Sequence, residues 1–581
     1  MYTEYDLRQV PISIKSSRQR AIDFLAQNGL RLDDVDYLAA IYPLDSDEML
    51  ACGGMKGNLL KCIAVSEQLR DTGMSTRLIS HLINLAMQQG HRSVKVFTKP
   101  SNRDIFSSLG FHLLASAPQA ILMENDLRNI ESYKQYLAQQ GGEGRRGVIV
   151  MNCNPFTRGH RYLIEQASRQ VDHLFIIPVR EDASIFCYKE RKSMIEAGTA
   201  DLQNVHVLEG SEYSISQFTF PTYFLKNLDD AADTHITLDL DLFATHIAPA
   251  LQSSVRFVGS EPTDALTRRY NELMHKILPS KGIDIIQIER CQLEEGTIIS
   301  ASVLRKALQR GSLQAAAVMA YPSTIPYLIG HLATQALQQE LDTTPKPGLV
   351  DQHDSGAHND MDYRMMCRSI KALHPYFVQL AVEAYCNTLP SLKQLQSAGI
   401  EAEKTMLTAT HGVNTHKGAL FSMGLAVSAA SHHYYNNNGV TPEHLQSTIQ
   451  NMARQFPTPK GTHGAAVVAQ HQIPGALDCA IEGYPQLFQS WLPFYQQHRN
   501  DRFVLHKLLL LIMTTLEDTN IYHRAGANGA RQVKEESAAL LEQFSEYGLQ
   551  QMNQRFITQN LSPGGSADML SLTVFSASVL G

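Results

Sequence analysis

The spacing of apolar positions changes character twice along the chain. Up to about Asn125, short apolar and β-branched runs predict strands at Tyr37–Ile41, Met49–Gly53, Leu59–Val65 and Val94–Thr98. Helices are expected at Arg77–Gln89 and Asn102–Phe111. A helical period over Glu131–Gln140 follows, then Gly141-Gly142-Glu143-Gly144, a glycine-rich joint that marks a domain boundary. Beyond it, strands and helices alternate. Gly147–Met151, Leu174–Val179, Val205–Leu208, Ile236–Leu240 (ending in Asp239 and Asp241), the run from Arg256 with its loop to Pro262, and Ile283–Ile288 all read as strands of a parallel α/β sheet. From about Pro322 strand patterns vanish. Helical periods cover Tyr327–Leu341, Met365–Asn387, Ser391–Thr410, Leu420–His432, Pro442–Phe456, Leu505–Leu516, Ala530–Tyr547 and Gly548–Gln559, the pattern of an all-α domain. The expected domains are 1–127, 145–322 and 326–581.

A chain of 581 residues needs several cores. Its net charge of -7 supplies no bulk basic field for nucleic acid. No apolar run reaches the roughly 18 residues of a membrane span, and MYTEYDLRQV is no signal peptide, so a cytoplasmic protein is expected. The eight cysteines (52, 62, 153, 187, 291, 367, 386 and 479) show no metal-binding spacing. They read as free thiols in cores, without structural zinc.

Candidate chemistry sits in short polar strings. After the buried run to Met151 come Asn152-Cys153-Asn154-Pro155-Phe156-Thr157-Arg158-Gly159-His160, then a helical period. Asn-Pro breaks the strand, and strand, turn and helix N-terminus together aim backbone N–H groups at an anion. Gly159 permits close approach and His160 can donate to phosphate. Ser300 and Ser302 open a later helix, with Arg305 one turn on; alone, Ser-x-Ser is a capping signal. Lys189 and Arg191 read as a solvated helix face. The helical part carries three polar islands: Thr344 to Asp362, with Lys346, Gly348, Asp351, His358, Asp360 and Asp362; Thr410 to Ala419, with Asn414, His416, Lys417 and Gly418; and Leu516 to Arg524, with Asp518, Asn520 and Arg524. Clustered hard oxygen ligands suit Mg²⁺ and a polyphosphate. Acidic residues after the apolar run Leu508–Met513 suggest a metal or ribose contact rather than a cap.

Thr157-x-Gly159-His160 resembles the His-x-Gly-His signature of the nucleotidyltransferase superfamily, and the fuller Asn154-Pro155-Phe156-Thr157-x-Gly159-His160 resembles the citrate lyase ligase family. That resemblance implies a Rossmann-like parallel sheet that adenylates acetate with ATP and passes the acetyl group to the thiol of the citrate lyase acyl carrier protein. It implies that Thr157, His160, Ser300, Ser302 and Arg305 are catalytic, that Asn154 and Gly159 bind nucleotide, and that Mg²⁺ bridges phosphates. The first segment is similar to the GCN5-type acetyltransferase fold, whose Arg-x-x-Gly loop corresponds to Arg70-Asp71-Thr72-Gly73, with Ser75 where Gly or Ala is usual. It implies a CoA-like ligand at residues 70–76, held by Arg70 and Gly73.

Pro-Lys-Pro-Gly-Leu-Val-Asp (345–351), Gly-Ala-His-x-Asp-Met-Asp (356–362), Gly-Val-Asn-Thr-His-Lys-Gly (412–418) and Asp518-Thr519-Asn520 resemble triphosphoribosyl-dephospho-CoA synthase. The family transfers the triphosphoribosyl group of ATP to 3'-dephospho-CoA and releases adenine. The resemblance implies that Asp351, His358 and Lys417 are catalytic, that Lys346, Gly348, Asn414, His416, Gly418, Asn520 and Arg524 bind substrate, and that Asp360, Asp362 and Asp518 hold metal. After Thr462-His463-Gly464 the family's Gly-Ala-Arg-x-Glu-Ala becomes Gly475-Ala476-Leu477-Asp478-Cys479-Ala480, which removes a cation and an anion. A pantetheine or nucleotide adenylyltransferase fused to a non-catalytic, carrier-docking helical domain is the alternative reading.

Overall fold

The computed structural model describes residues 4–70, 72–181, 184–214, 231–261, 264–291, 299–459, 461 and 463–581, without the His463 side chain. Asp71, Pro262 and Thr462 lie outside the described residues. The chain forms two compact units, Met1–Ile299 and Ser300–Gly581.

The first unit holds two sheets. One contains β1 (Tyr5–Gln9), β2 (Tyr37–Pro43), β3 (Ala51–Lys56), β4 (Leu59–Val65), β5 (Lys95–Thr98), β6 (His112–Ser116) and β7 (Ile121–Glu124), in the order β1-β2-β3-β4-β5-β7-β6. It is antiparallel except where β4 meets β5, paired in parallel at Leu59↔Lys95 and Leu60↔Val96. The helix Met74–Gln88 makes that crossover and buries Leu78, Ile79, Leu82 and Ala86 on the sheet. Strands β1, β6 and β7 and the helix Lys15–Gln27 were not among the expected elements.

The other sheet contains β8 (Arg146–Met151), β9 (His173–Pro178), β10 (Val205–Val207), β11 (Val255–Gly259) and β12 (Asp284–Ile288), all parallel, in the order β10-β9-β8-β11-β12. Strand order reverses between β8 and β11, so the carboxyl end of β8 lies at a topological switch point, where open sheets bind ligands.

The expected strand Ile236–Leu240 is instead part of a helix, Ala231–Leu242. Its apolar residues alternate because the helix is buried on two sides. Leu238 and Leu242 enter the core beneath the first sheet, while Ile236 and Leu240 enter the core beneath the second. A helix clasped by two cores shows no single apolar face, and alternation then mimics a strand. All eight cysteines are free, but only Cys52, Cys62 and Cys153 are buried, and Cys187 is exposed.

The second unit is helical. The long helices Ile325–Asp342, Tyr363–Ala384, Lys417–Asn437 and Val504–Thr515 are joined by a last helix, Gly564–Leu580, which no period had indicated. It is buried on all sides. Its hydroxyls bond back along the helix, Thr573 to the Met569 carbonyl (2.7 Å) and Ser578 to the Val574 carbonyl (2.9 Å). The segment Ala301–Ala317, in sequence continuous with the ligase-like part, packs in this unit: the Ser312 hydroxyl donates to the Gly581 carbonyl at 3.0 Å, and Gln335 to the Gln309 carbonyl at 3.0 Å. No described helix is long and apolar enough to cross a membrane.

Gly147 sets the approach of β8 to β11, because a Cβ there would lie 2.5 Å from the Phe257 ring. Gly147→Ala is expected to destabilise the first unit by about 1–3 kcal/mol through overpacking. Phe257→Leu in the same chain should restore part of that loss, as read by thermal unfolding.

Candidate functional sites

At the carboxyl end of β8 the chain turns through Cys153 (φ 49°) and the cis Asn154–Pro155 bond. It then enters the helix Arg158–Ser168 with Thr157 as N-cap. The Thr157 Oγ1 accepts the His160 backbone N–H at 3.3 Å, and the His160 Nδ1 accepts the Thr157 backbone N–H at 3.0 Å. This reciprocal cap fixes the imidazole: Nδ1 is the acceptor, so in the neutral ring the proton sits on Nε2. Phe156 stacks on the ring with centroids 6.0 Å apart. Gly159 is not in the left-handed region, and a Cβ there would come no closer than 3.5 Å to Ile299, the residue before Ser300. Neither backbone nor packing demands glycine at that position.

Arg191, expected on a solvated face, is 0% exposed and organises this corner. It donates to the Asn152 carbonyl and Oδ1 (both 2.7 Å), the Val179 carbonyl (3.1 Å) and the Phe186 carbonyl (3.1 Å), and it reaches the Glu181 carbonyl. The loops after β8 and β9 are thereby tied to one guanidinium. Asn154 belongs to the same knot, its Oδ1 accepting the Phe186 N–H at 3.3 Å. The Phe-x-Tyr-x-x-Arg string was visible in the sequence, but its charge argued for solvent.

Ser300 is the N-cap of Ala301–Gln309, and its hydroxyl lies 2.7 Å from that of Ser302. Arg305 is half-buried, and burial pushes its guanidinium down from its ordinary value. In the first sheet's crossover, Gly73 sits at φ 76° as the N-cap of Met74–Gln88, with open space around it. Arg70 is exposed and pairs with Glu67 at 3.3 Å.

The second unit brings its three islands together around the start of the last helix. In the first island Lys346, 1% exposed, forms a buried ion pair with Glu340. Asp351, also 1% exposed, accepts backbone N–H groups of Lys346 (2.9 Å), His353 (2.7 Å) and Asp354 (3.2 Å), so its carboxylate shapes the loop. Gly348 (φ +72°) donates to Asn553 at 2.9 Å, and a Cβ there would strike the Leu561 carbonyl. The His358 Nε2 lies 2.7 Å from the Ser562 hydroxyl, and its Nδ1 lies 3.2 Å from Arg524 of the third island. Burial, then Arg524, pushes His358 down from its ordinary value.

In the second island His416, 3% exposed, places Nδ1 2.8 Å from the Ser369 hydroxyl and leaves Nε2 without a hydrogen-bond partner. Burial, then Lys346, pushes it down to about 3. Asn414 accepts the Lys417 N–H at 3.2 Å, and the Lys417 ammonium pairs with Glu403 at 2.6 Å. A Cβ on Gly418 would lie 2.0 Å from the Asp568 carboxylate, so that glycine makes room for an acid on the last helix. Burial, then Glu340 and Asp518, pushes Asp568 well above the carboxylate range. Asp568 was not found from sequence, because its helix was not.

The three expected metal residues, Asp518, Asp362 and Asp360, differ in what they contact. Asp518 is a cap after all: it ends a loop and opens the helix Thr519–Glu542, accepting from the Asn520 N–H (3.0 Å) and from the Ser566 N–H (2.8 Å) and hydroxyl (3.0 Å). Asp362 caps Tyr363–Ala384 through the Met365 N–H at 2.7 Å. Asp360 is exposed, 3.6 Å from His358. Among the described residues no three His, Cys, Asp or Glu side chains are grouped to hold a metal. Leu477 is buried, and burial pushes the Cys479 thiol up to about 11.

A parallel-sheet ligase domain followed by a helical transferase domain is the class that the family models return. Residues 146–328 match the citrate lyase ligase C-terminal domain, and residues 326–580 match ATP:dephospho-CoA triphosphoribosyl transferase. The citrate (pro-3S)-lyase ligase of Klebsiella pneumoniae is 40% identical over 330 residues, 56% of this chain and 96% of that protein. The 2-(5''-triphosphoribosyl)-3'-dephosphocoenzyme-A synthase of Pectobacterium atrosepticum is 36% identical over 261 residues, 42% of this chain and 87% of that protein. The chain therefore belongs to both the citrate lyase ligase and the triphosphoribosyl-dephospho-CoA synthase families, as a fusion of a ligase with a transferase. The solved structure of Escherichia coli ElaA aligns to 21% of this chain and 99% of its own at 15% identity, with a TM-score of 0.18, too low to bear on the fold.

The depressed His416 makes the second unit acid-sensitive. Unfolded His416 takes up a proton near its ordinary value of about 6.5, and the folded ring does so only near 3. Its contribution is complete above about pH 6.5 and is lost as pH falls toward 3, by up to about 1.4 kcal/mol per pH unit. Urea unfolding at pH 7.5 and 5.5 should show this loss, and His416→Gln should flatten it.

Proposed function

We propose that this chain performs both steps that prepare citrate lyase's acyl carrier: ATP-dependent acetylation of its thiol, and synthesis of the triphosphoribosyl-dephospho-CoA precursor of its prosthetic group. The observation that carries the reading is coverage. One chain spans nearly the whole of a ligase and nearly the whole of a synthase. That leaves the alternative of an adenylyltransferase with a non-catalytic tail without support.

In the ligase part an acetate oxygen attacks the α-phosphorus of ATP and pyrophosphate leaves; the carrier thiolate then takes the acetyl group and AMP departs. The enzyme's task is to position reactants and stabilise charge on the phosphate oxygens. His160, with its Nδ1 occupied by the Thr157 N–H, turns Nε2–H outward as a donor at a helix N-terminus. The family resemblance also implies a triphosphate-binding role for Ser300, Ser302 and Arg305, which belong to the second unit. In the mixed-sheet part, the Gly73 turn and Arg70 receive a CoA-like or phosphopantetheine arm; a calorimetric titration with acetyl-CoA tests that assignment.

In the synthase part the bond from ribose C1' to adenine breaks as the dephospho-CoA 2'-hydroxyl bonds to C1', and the hydroxyl proton leaves with adenine. Lys417 and Arg524 are the cations available to phosphate. Asp568, Asp518 and Glu340 lie close enough to interact, and burial, then the other two acids, pushes Asp568 well above the carboxylate range. Mg²⁺ enters with ATP; the described residues offer it no protein cage.

His160→Ala is expected to lower acetate-dependent pyrophosphate release about a hundredfold. Adenine release from ATP and dephospho-CoA by the same variant should be unchanged. Undiminished pyrophosphate release would refute the role of His160.

A further inference from the structure

We infer that Arg191 is a positioning residue of the ligase reaction: its buried guanidinium holds the turn that aims His160, and His160 is competent only while that grip lasts. The inference rests on the ligase reading and on the part that His160 plays in it.

Arg191 stands on the helix Tyr188–Thr199 and is 0% exposed. The parallel register of β8 and β9 ends at Met151↔Pro178. Just past that end the guanidinium takes over. Its Nη1 donates to the Asn152 carbonyl and Oδ1, both at 2.7 Å, and to the Val179 carbonyl at 3.1 Å. Its Nε donates to the Phe186 carbonyl at 3.1 Å, and the Phe186 N–H donates in turn to Asn154 Oδ1 at 3.3 Å. Asn152 and Asn154 are thus held on either side of Cys153, which sits at φ 49°. A left-handed residue other than glycine persists only where its surroundings impose it. Beyond this reversal Phe156, 0% exposed, stacks on the imidazole, and Thr157 donates its N–H to His160 Nδ1 at 3.0 Å. A continuous set of contacts runs from the guanidinium to the ring.

Lysine cannot replace this grip. Guanidinium donors lie in one plane and point several ways, whereas an ammonium is a single point on a flexible stem. Arg191→Lys keeps the charge and loses the spread, so it frees the turn without removing the cation. Misplacing a catalytic group by about 1 Å costs on the order of a hundredfold in rate. A stabilising role alone would behave differently: its loss would lower the unfolding temperature and leave the turnover of folded molecules as it was.

The test is a double-mutant cycle on the full-length protein, read as pyrophosphate release with ATP and acetate. Arg191→Lys is expected to lower kcat about 10- to 100-fold while the KM for ATP stays within about threefold. Adenine release from ATP and dephospho-CoA by the same variant should be unchanged. In a His160→Ala background, Arg191→Lys should change kcat by no more than about twofold, because the group it positions is gone. A folded Arg191→Lys variant with undiminished kcat overturns the proposal, as does a full repeat of its loss in the His160→Ala background. If Arg191→Lys does not fold, Asn152→Ala decides in its place, since it removes one acceptor of the guanidinium and leaves the cation. Its expected loss is about tenfold and disappears in the His160→Ala background; an additive loss overturns the proposal. Undiminished release by His160→Ala overturns the role of His160, and no release by the wild type overturns the ligase reading; this inference falls with either.

Discussion

Arg191 donates all round to carbonyl oxygens and sits wholly out of water. Parallel strands end in loops whose carbonyls have no ladder partner, and buried polar groups must be paired. One guanidinium meets that demand for the turns after β8 and β9 together. With Asn152 and Val179 fixed, the Asn154–Pro155 turn delivers Thr157 to a helix start where cap and imidazole lock each other. The orientation of His160 is thus inherited from a residue that need not touch substrate.

The helical unit meets the same demand with acids. Asp351, Asp362 and Asp518 each accept backbone N–H groups at loop turns or helix starts. Their carboxylates hold irregular loops in place between helices, and Lys346 with Glu340 lies beneath the first of them. Polar residues that are dense in sequence prove to be scaffolding first. Of the polar atoms in these islands, His416 Nε2 is buried without a hydrogen-bond partner.

Much of this was legible in the sequence. Strands β8, β9 and β11 announced themselves because buried parallel strands are continuous apolar runs. Asn-Pro-Phe-Thr-x-Gly-His located its turn because proline and glycine restrict what the backbone can do. Three things were hidden, each for a physical reason. Ala231–Leu242 alternates because two cores claim it. Gly564–Leu580 has no polar face because helices surround it, and Asp568 was hidden with it. Arg191 read as a surface charge, since a sequence does not show which carbonyls will enclose a guanidinium.

Both units bury charged side chains, and the two reactions call for different ones. In the ligase unit Arg191 and Arg256 are enclosed cations, one spent on carbonyls and the other holding a donor in reserve. Adenylation concentrates negative charge on phosphate and carboxylate oxygens, so a fixed positive field lowers its barrier. In the synthase unit Glu340, Asp518 and Asp568 outnumber Lys346, and they crowd until burial and mutual repulsion push Asp568 toward its neutral form. Breaking a glycosidic bond puts positive charge on the ribose, and carboxylates stabilise it. Triphosphate itself calls for cations; in the helical unit Lys417 pairs with Glu403 and Arg524 donates to the Ala357 carbonyl. Adenylation and glycosyl transfer build charge of opposite sign on their reacting groups. A single shared pocket could not serve both reactions, which is a physical reason for one chain to keep two folds.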